Sequence, residues 1–559
     1  MATGKSVLAR AIRGATILAG AALLPALVAP VAEAANYCPA VWKKGVMKFN
    51  FNTAFTNIET YNGPSGAHDD LLVTSFFNVT KDPTGTTVTN YFERDLVARV
   101  RNLDEVNLAV FDKDWDVQEL TDVGGPPVVD APNKTVWPND AVRMPDGMVP
   151  FQAVAIPQGF HPAVPPGRLT FINLDDPGLP EYIVHQSTGG PAGAGCDPSS
   201  NVSNPKFYHD LEFVDMNGDG YKDIATVRSS FKVAGYGSLC FFTGELVWFQ
   251  NPGAALQPNV QWQEHMLVGY PVTANGPDIS IESADFENDG IPELVAASFF
   301  MSGGFVRVYG APAGLPWTAV DQVNGPAARV GNIVGALQGK VFGIQVADLN
   351  NDGKLDVISS NHQEDNCFPV TQQPIPGRIN VFEQPASGNV FGGGWIRHTI
   401  KDNIRPNPTF PAPTAAPGRL APGPAKAFWP VRGQKGKVKP WVVVGGDEAS
   451  KVWLLTPKSP SPTNWDYESA VIFDINDTYG ANTTQTIMGP GGISPGEVIS
   501  TIGVPSVRYD DPGPLGRAEI YIPVFEAKEI HVLTMRPRGV INRVTCPPDG
   551  ALACPVVAN

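Results

Sequence analysis

The stretch whose reading decides the fold is Asp215-Met-Asn217-Gly-Asp219-Gly220-Tyr221-Lys-Asp223. It returns twice, as Asp285-Phe-Glu287-Asn-Asp289-Gly290-Ile291-Pro-Glu293 and as Asp348-Leu-Asn350-Asn-Asp352-Gly353-Lys354-Leu-Asp356. In every copy oxygen-bearing side chains stand at positions 1, 3, 5 and 9, with Gly at position 6. Calcium takes about six to eight oxygens, and a tight loop can present alternate side chains inward. Glycine at the reversal admits positive φ. The expected ligand set is therefore Asp215, Asn217, Asp219, Tyr221 and Asp223, then Asp285, Glu287, Asp289, Ile291 and Glu293, then Asp348, Asn350, Asp352, Lys354 and Asp356. Tyr221, Ile291 and Lys354 would contribute main-chain carbonyls. One Asn-Asp-Gly cluster is an ordinary turn, but three in register predict about three bound Ca2+ ions. Their expected role is structural, because crowded carboxylates repel one another unless neutralised.

An EF-hand needs a bidentate Glu at loop position 12 and helices on both sides. Position 12 here is Thr226, Ala296 or Ser359. The flanks, Leu211-Glu-Phe-Val and Ile224-Ala-Thr-Val in the first copy, alternate like strands. After each loop strand comes another β run and then a tryptophan. The first copy has Gly244-Glu-Leu-Val-Trp-Phe-Gln-Asn-Pro and Trp262, the second Gly304-Phe-Val-Arg-Val-Tyr and Trp317, the third Gly377-Arg-Ile-Asn-Val-Phe-Glu-Gln-Pro and Trp395. A degenerate copy runs from Ser450 to Pro457 and on to Trp465. Four strands per unit, recurring with the loops, predict the blades of an all-β propeller.

These repeats resemble the FG-GAP/VCBS family, whose calcium-binding repeats also build integrin α heads, across about residues 160–400. The resemblance implies a seven-bladed β-propeller, with six or eight blades as alternatives, and calcium loops joining the first and second strands of several blades. The blades are expected near 66–115, 130–190, 205–270, 277–325, 340–402, 422–476 and 495–540, in a propeller of 35–545 with a tail at 546–559. A decayed loop is read at Asn173-Leu-Asp175-Asp-Pro177-Gly178-Leu-Pro-Glu181, where Pro replaces the oxygen at position 5.

Composition agrees with short strands and turns: 57 Gly and 54 Pro among 559 residues, 43% hydrophobic and only 17% charged. The net charge of −15 argues against nucleic acid as a partner, since phosphate binding needs a basic surface, and suits divalent cations. Lys5, Arg10 and Arg13, the apolar run Ala15 to Val31 and the small-residue site Ala32-Glu33-Ala34 predict a signal peptide over 1–34 and export. A membrane anchor is the competing reading, opposed by Gly20, Pro25 and Pro30. No later run has the ~20 apolar residues of a membrane span. Cys38, Cys196, Cys240, Cys367, Cys546 and Cys554 form no CxxC pair, so disulfides in an oxidising compartment are expected.

In a propeller, the face opposite the loops collects residues that enter first strands and leave second strands. Entering are His161, His209, Asp210, Asp278, Lys426 and Glu497; leaving are His185, Gln186, Arg228, His362, Gln363, Glu364, Asp447 and Glu448. Convergent polar groups there are the default site. The expected ligand is extracellular, with carbohydrate the favoured class, contacting Asp210, Asp278, Lys426, Glu497, Glu364 and Asp447. Propellers of similar type include lectins and lyases. The alternative is therefore a sugar lyase or dehydratase using His209, His362, Arg228, His161 and His185 as base and oxyanion candidates, and a second alternative is a structural or adhesive surface protein. His-Glu-x-x-His and phosphate-cradling loops are absent from the sequence.

Overall fold

The structure is a computed structural model. It describes residues 41–63, 66–75, 79–81, 87–89, 95–105, 116–121, 137–159, 167–187, 206–233, 239–269, 276–300, 304–312, 315–334, 339–364, 377–407, 420–480, 484–485, 488–489, 492–493, 497–498 and 501–535. The signal-peptide reading and five of the six cysteines lie outside these residues; of Cys240 only the backbone, in the strand Leu239–Gln250, is described.

Antiparallel strands assemble into seven blades arranged as a ring, a seven-bladed β-propeller. Blade 1 runs from Thr56–Gly63 to Val117–Glu119, blade 2 from Val142–Arg143 to Glu181–Gln186, and blade 3 from Lys206–Val214 to Gln263–Val268. Blade 4 runs from Ser280–Ala284 to Arg329–Val334, blade 5 from Lys340–Ala347 to Ile396–Ile404, and blade 6 from Ala425–Phe428 to Tyr467–Asp474. Blade 7 takes Ser506–Tyr509, Ala518–Val524 and Glu529–Met535 from the chain end, and its outermost strand, Val41–Lys48, from the other end.

That last pairing departs from the expected boundaries, which gave blade 7 only 495–540 and began blade 1 at 66. The first strand of blade 1 starts at Thr56, and Glu497–Val498 pairs with Thr484–Gln485 outside any blade. The decayed loop at Asn173–Glu181 also sits elsewhere than the repeat suggested. It joins the third and fourth strands of blade 2, whose first two strands are connected by residues 144–152.

Blades stack face to face, so their middle strands lose the in-out alternation and become buried throughout, as in Glu293–Ser298 and Ala518–Val524. Among the described residues the core divides into seven apolar clusters, and each straddles one junction between neighbouring blades. The junction of blades 7 and 1 joins Met47, Tyr521 and Val532 to Leu71, Val73 and Ala98. A ring held only by neighbour contacts needs every junction. Lys44, on the borrowed strand, pairs with the buried Glu519, so closure is also ionic.

Met47 is fully buried in that junction. Met47→Ala is expected to destabilise the chain by about 2–5 kcal/mol, measured by denaturant unfolding. Met47→Leu, which keeps the volume, is expected to cost less than ~1.5 kcal/mol.

Candidate functional site

The three acidic loops share one conformation. Their position 6 glycines have φ of 90°, 83° and 87° at Gly220, Gly290 and Gly353. Each donates its N–H to the position 1 carboxylate, at 2.9 Å in all three loops. The position 9 carboxylate folds back to the N–H at position 2, through Asp223–Met216, Glu293–Phe286 and Asp356–Leu349 at 2.9, 2.9 and 3.1 Å. Burial first, and crowding by neighbouring acidic side chains after it, push Asp223 up to about 6 and Glu293 and Asp356 up to about 7. An oxygen-only, crowded donor set of this kind suits a hard divalent ion. Among the described residues no three His, Cys, Asp or Glu side chains already converge as a metal cage.

At the ring axis a second pattern emerges. A polar side chain on most first strands reaches across to the first strand of the next blade. Glu59 accepts the N–H of Arg143 at 3.3 Å, Asn139 donates to the Tyr208 carbonyl at 2.6 Å, and Asp210 accepts the Ile281 N–H at 3.1 Å and the Ser280 hydroxyl at 3.0 Å. Glu282 accepts the N–H of Val346, and Gln345 accepts that of Ala427 at 2.7 Å. The Tyr509 hydroxyl accepts the Trp429 backbone N–H at 3.2 Å, and the Thr56 hydroxyl donates to the Val504 carbonyl at 2.7 Å, completing the circuit.

These latches concentrate carboxyl groups. Glu59, Asp140, Asp210, Glu212 and Glu282 come from blades 1, 3 and 4 and the connection before blade 2's first strand, and Lys426 of blade 6 stands in the field of four of them. Each keeps some contact with water, yet the surrounding blades strip most of its hydration. Burial pushes Glu59, Asp210 and Glu212 up to about 7, with Asp140 adding to the first two. Burial also raises Asp140 and, with Glu212 and Asp210 beside it, lifts Glu282 well above the carboxylate range. Lys426 is lowered by burial against the pull of Asp140 and Glu282.

One residue before Asp210, at the end where first strands enter, rings form a crescent across blades 3, 4 and 5. His209 packs on Phe207 and Phe300 with centroids at 5.3 and 5.4 Å, and Phe299 meets Phe300, Phe342 and His362 at 5.1, 5.6 and 5.3 Å. Phe342 stacks on His362 at 5.0 Å, and the Lys340 ammonium lies 5.0 Å from the Phe299 centroid. Asp278 is buried behind this wall and accepts the N–H groups of Phe299 and Phe300 at 2.6 and 3.1 Å, which fixes the two rings. His362 donates Nδ1–H to the Pro422 carbonyl at 2.8 Å, leaving Nε2 as a bare lone pair 3.9 Å from Asp447. Burial drops both His209 and His362 to about 3, so both imidazoles are neutral.

Of the residues singled out in the sequence, Asp210 and Lys426 thus meet at the axis, His209 and His362 join the crescent, and Asp278 and Asp447 stand against it. Arg228 and His185 belong to a different constellation, a charge network between blades 2 and 3. Arg228 grips Glu264 with both terminal nitrogens at 2.8 and 2.6 Å and Glu245 at 2.7 Å. The Tyr208 hydroxyl reaches His185 at 2.5 Å, and Lys206 holds Glu245 at 2.5 Å. A guanidinium so fully engaged acts as a clamp. His161 and the side chains of Glu364 and Glu497 lie outside the described residues.

Glu59, Asp140, Glu212, Glu282 and the phenylalanines were missed by the sequence reading. A signal existed for two of them. Glu212, Glu282 and Gln345 each stand three residues before the first Asp of a loop, a polar residue recurring inside an otherwise strand-like run.

The fold and site define a β-propeller with an acidic axis and an adjoining, largely buried aromatic cluster. No family model matches the chain, and no curated protein matches it. Similar solved structures include a Dyadobacter fermentans protein of unknown function, 9% identical, covering 89% of this chain and 100% of that one at a TM-score of 0.31. Another is a GH43 β-xylosidase/α-arabinofuranosidase from a compost microbial metagenome, 11% identical, covering 63% of this chain and 97% of that one at a TM-score of 0.27. At these values neither carries an argument about activity.

The raised carboxyls have a consequence for stability. Unfolded Asp and Glu titrate near ~4, so between about pH 4 and pH 8 the folded state binds more protons than the unfolded state. Stability is then greatest at the acid end of that window and falls as pH rises through about 7. The melting temperature is expected to be lower at pH 8 than at pH 5.5 at fixed calcium. The double variant Glu59→Gln, Asp210→Asn, which keeps the acceptor oxygens, is expected to flatten that slope, and calorimetry at the two pH values checks it.

Proposed function

We propose that this chain is an exported, calcium-stabilised β-propeller that binds a carbohydrate on the face opposite its acidic loops. The observation that carries the reading is the juxtaposition of the Phe207-to-Phe342 crescent with the axial carboxyls and Lys426. Sugars present C–H faces that rest on aromatic rings and hydroxyls that seek carboxylate acceptors and ammonium donors, and a concave patch with a few convergent polar groups is how small-ligand sites are built. Export follows from the signal-like leader, and calcium from the three loops.

A second reading, acid-base chemistry on a sugar, is favoured by one observation. Carboxyls held near pH 7 at Glu59, Asp210 and Glu212 are matched to proton transfer at neutral pH.

A glycan array read alongside an ultraviolet assay for unsaturated products separates the two readings. Binding without turnover supports the first, turnover supports the second, and the absence of both overturns the site. Asp210→Asn and Lys426→Met are each expected to weaken glycan binding by about tenfold, or ~1.4 kcal/mol. Calcium removal is expected to lower the melting temperature, because an ion at ~1,000 times its Kd adds about 4 kcal/mol per site. Calorimetry with and without chelator measures it.

A further inference from the structure

The three acidic loops are alike in backbone but differ in what surrounds them. In the Asp285 loop the oxygens at positions 3 and 9 are on glutamates, Glu287 and Glu293, where the other two loops have Asn217 and Asp223, or Asn350 and Asp356. The longer arm of Glu287 carries its carboxylate outward to a guanidinium, while Glu293 stays buried with its second oxygen near the same group. Arg329, first residue of the outermost strand of blade 4, places a terminal nitrogen 2.8 Å from Glu287 and 3.9 Å from Glu293. The same side chain donates Nε–H to the Ala311 carbonyl at 2.6 Å and lies 4.1 Å from the centroid of Phe391.

Strand register identifies what blades 3 and 5 put in the same place. Gly310 pairs with Arg329, Gln250 with Gln263, and Glu383 with Ile396. Neither Gln263 nor Ile396 carries charge. The glycine is also particular to blade 4: a Cβ at Gly310 would come within 2.4 Å of Phe391 and 3.0 Å of the Arg329 guanidinium. Among the described residues, the acidic side chains of the Asp215 and Asp348 loops have no Lys or Arg nitrogen in ion-pair contact. Four departures, Glu287, Glu293, Gly310 and Arg329, therefore coincide in one blade and serve one contact.

We infer that the Asp285 loop is neutralised by Arg329 in place of a metal ion, so that the chain takes two calcium ions, at the Asp215 and Asp348 loops, and a built-in cation at the third. A guanidinium fixed by a carbonyl and a ring satisfies the same carboxylate repulsion that calcium relieves elsewhere. It does so at any calcium concentration. The inference rests on the calcium reading of the other two loops for its count, and on the geometry of blade 4 alone for its arginine.

Ion counting on the full chain tests it. After chelation and titration with calcium alone, calorimetry or elemental analysis is expected to find two ions per chain. Asp215→Asn and Asp348→Asn are each expected to lose one ion, and Asp285→Asn none. Three ions in the wild type, or one lost from Asp285→Asn, overturns the inference. Arg329→Met is tested in chelator, where a melting temperature below that of the wild type is expected and an unchanged one overturns the arginine's role. The chelator arm keeps the two ideas apart, because a wild type that binds no calcium would sink the calcium reading while Arg329→Met still judges the arginine.

Discussion

The structure depends on one closing contact, the pairing of Val41–Lys48 with Glu529–Met535, which joins the two ends of the described chain in a single blade. Each blade buries its faces only against its neighbours, so the seven apolar clusters are terms in a cycle, and an open cycle would expose two faces at once. The borrowed strand supplies Met47 to the last junction and Lys44 to the buried Glu519, which Arg508 and the Tyr521 hydroxyl also approach. Hydrophobic burial and ion pairing thus converge on the same eight residues.

Inside that ring, the axis solves a different problem. Seven first strands end with unpaired edges facing one another, and an orphaned N–H costs about 1–3 kcal/mol. Acceptors on neighbouring strands meet several of those groups: Glu59 takes Arg143, Asp210 takes Ile281, Glu282 takes Val346 and Gln345 takes Ala427. Carboxylates make strong acceptors, but four or five of them in a confined space raise one another's pKa. Lys426 offsets part of this charge. The groups that hold the blades in register are therefore also the groups left poised near neutrality, so the proposed site coincides with the means of closure.

Much of the architecture was legible because it is local. The loop spacing from Asp215 to Asp223, the strand alternation around it and the recurring third strands lie within one repeat, so they can be read without knowing what packs against them. What escaped is non-local. That residue 41 pairs with Met535 leaves no mark near either residue, since a blade completed from the opposite end looks, in sequence, like a blade that is short of a strand. The position of Asn173–Glu181 was misread for a related reason: its oxygens resemble the metal loop, but the strand before it is the third of its blade. Arg228 and His185 were read as leaving second strands, but His185 lies on the outermost strand of blade 2 and Arg228 midway along Asp223–Val233, and Glu245 and Glu264, which come from later strands, decide that they clamp. His209 and His362, by contrast, stand on the first strand of blade 3 and the second strand of blade 5, positions that counting along a strand supplies.

The two faces divide their labour by the chemistry of their connections. Where first strands leave, the chain turns through nine-residue acidic loops whose own backbone N–H groups organise the carboxylates, so charge there is held in a geometry fixed by the turn. Where first strands enter, aromatic rings and neutral imidazoles replace charge, and Asp278 spends its carboxylate on backbone N–H groups that aim Phe299 and Phe300. Aromatic rings beside a few carboxyls gain from each C–H packed on them. The asymmetry between the faces fits the proposed division, cations at one and a hydroxyl-bearing ligand at the other, with the half-buried axial carboxyls lying between.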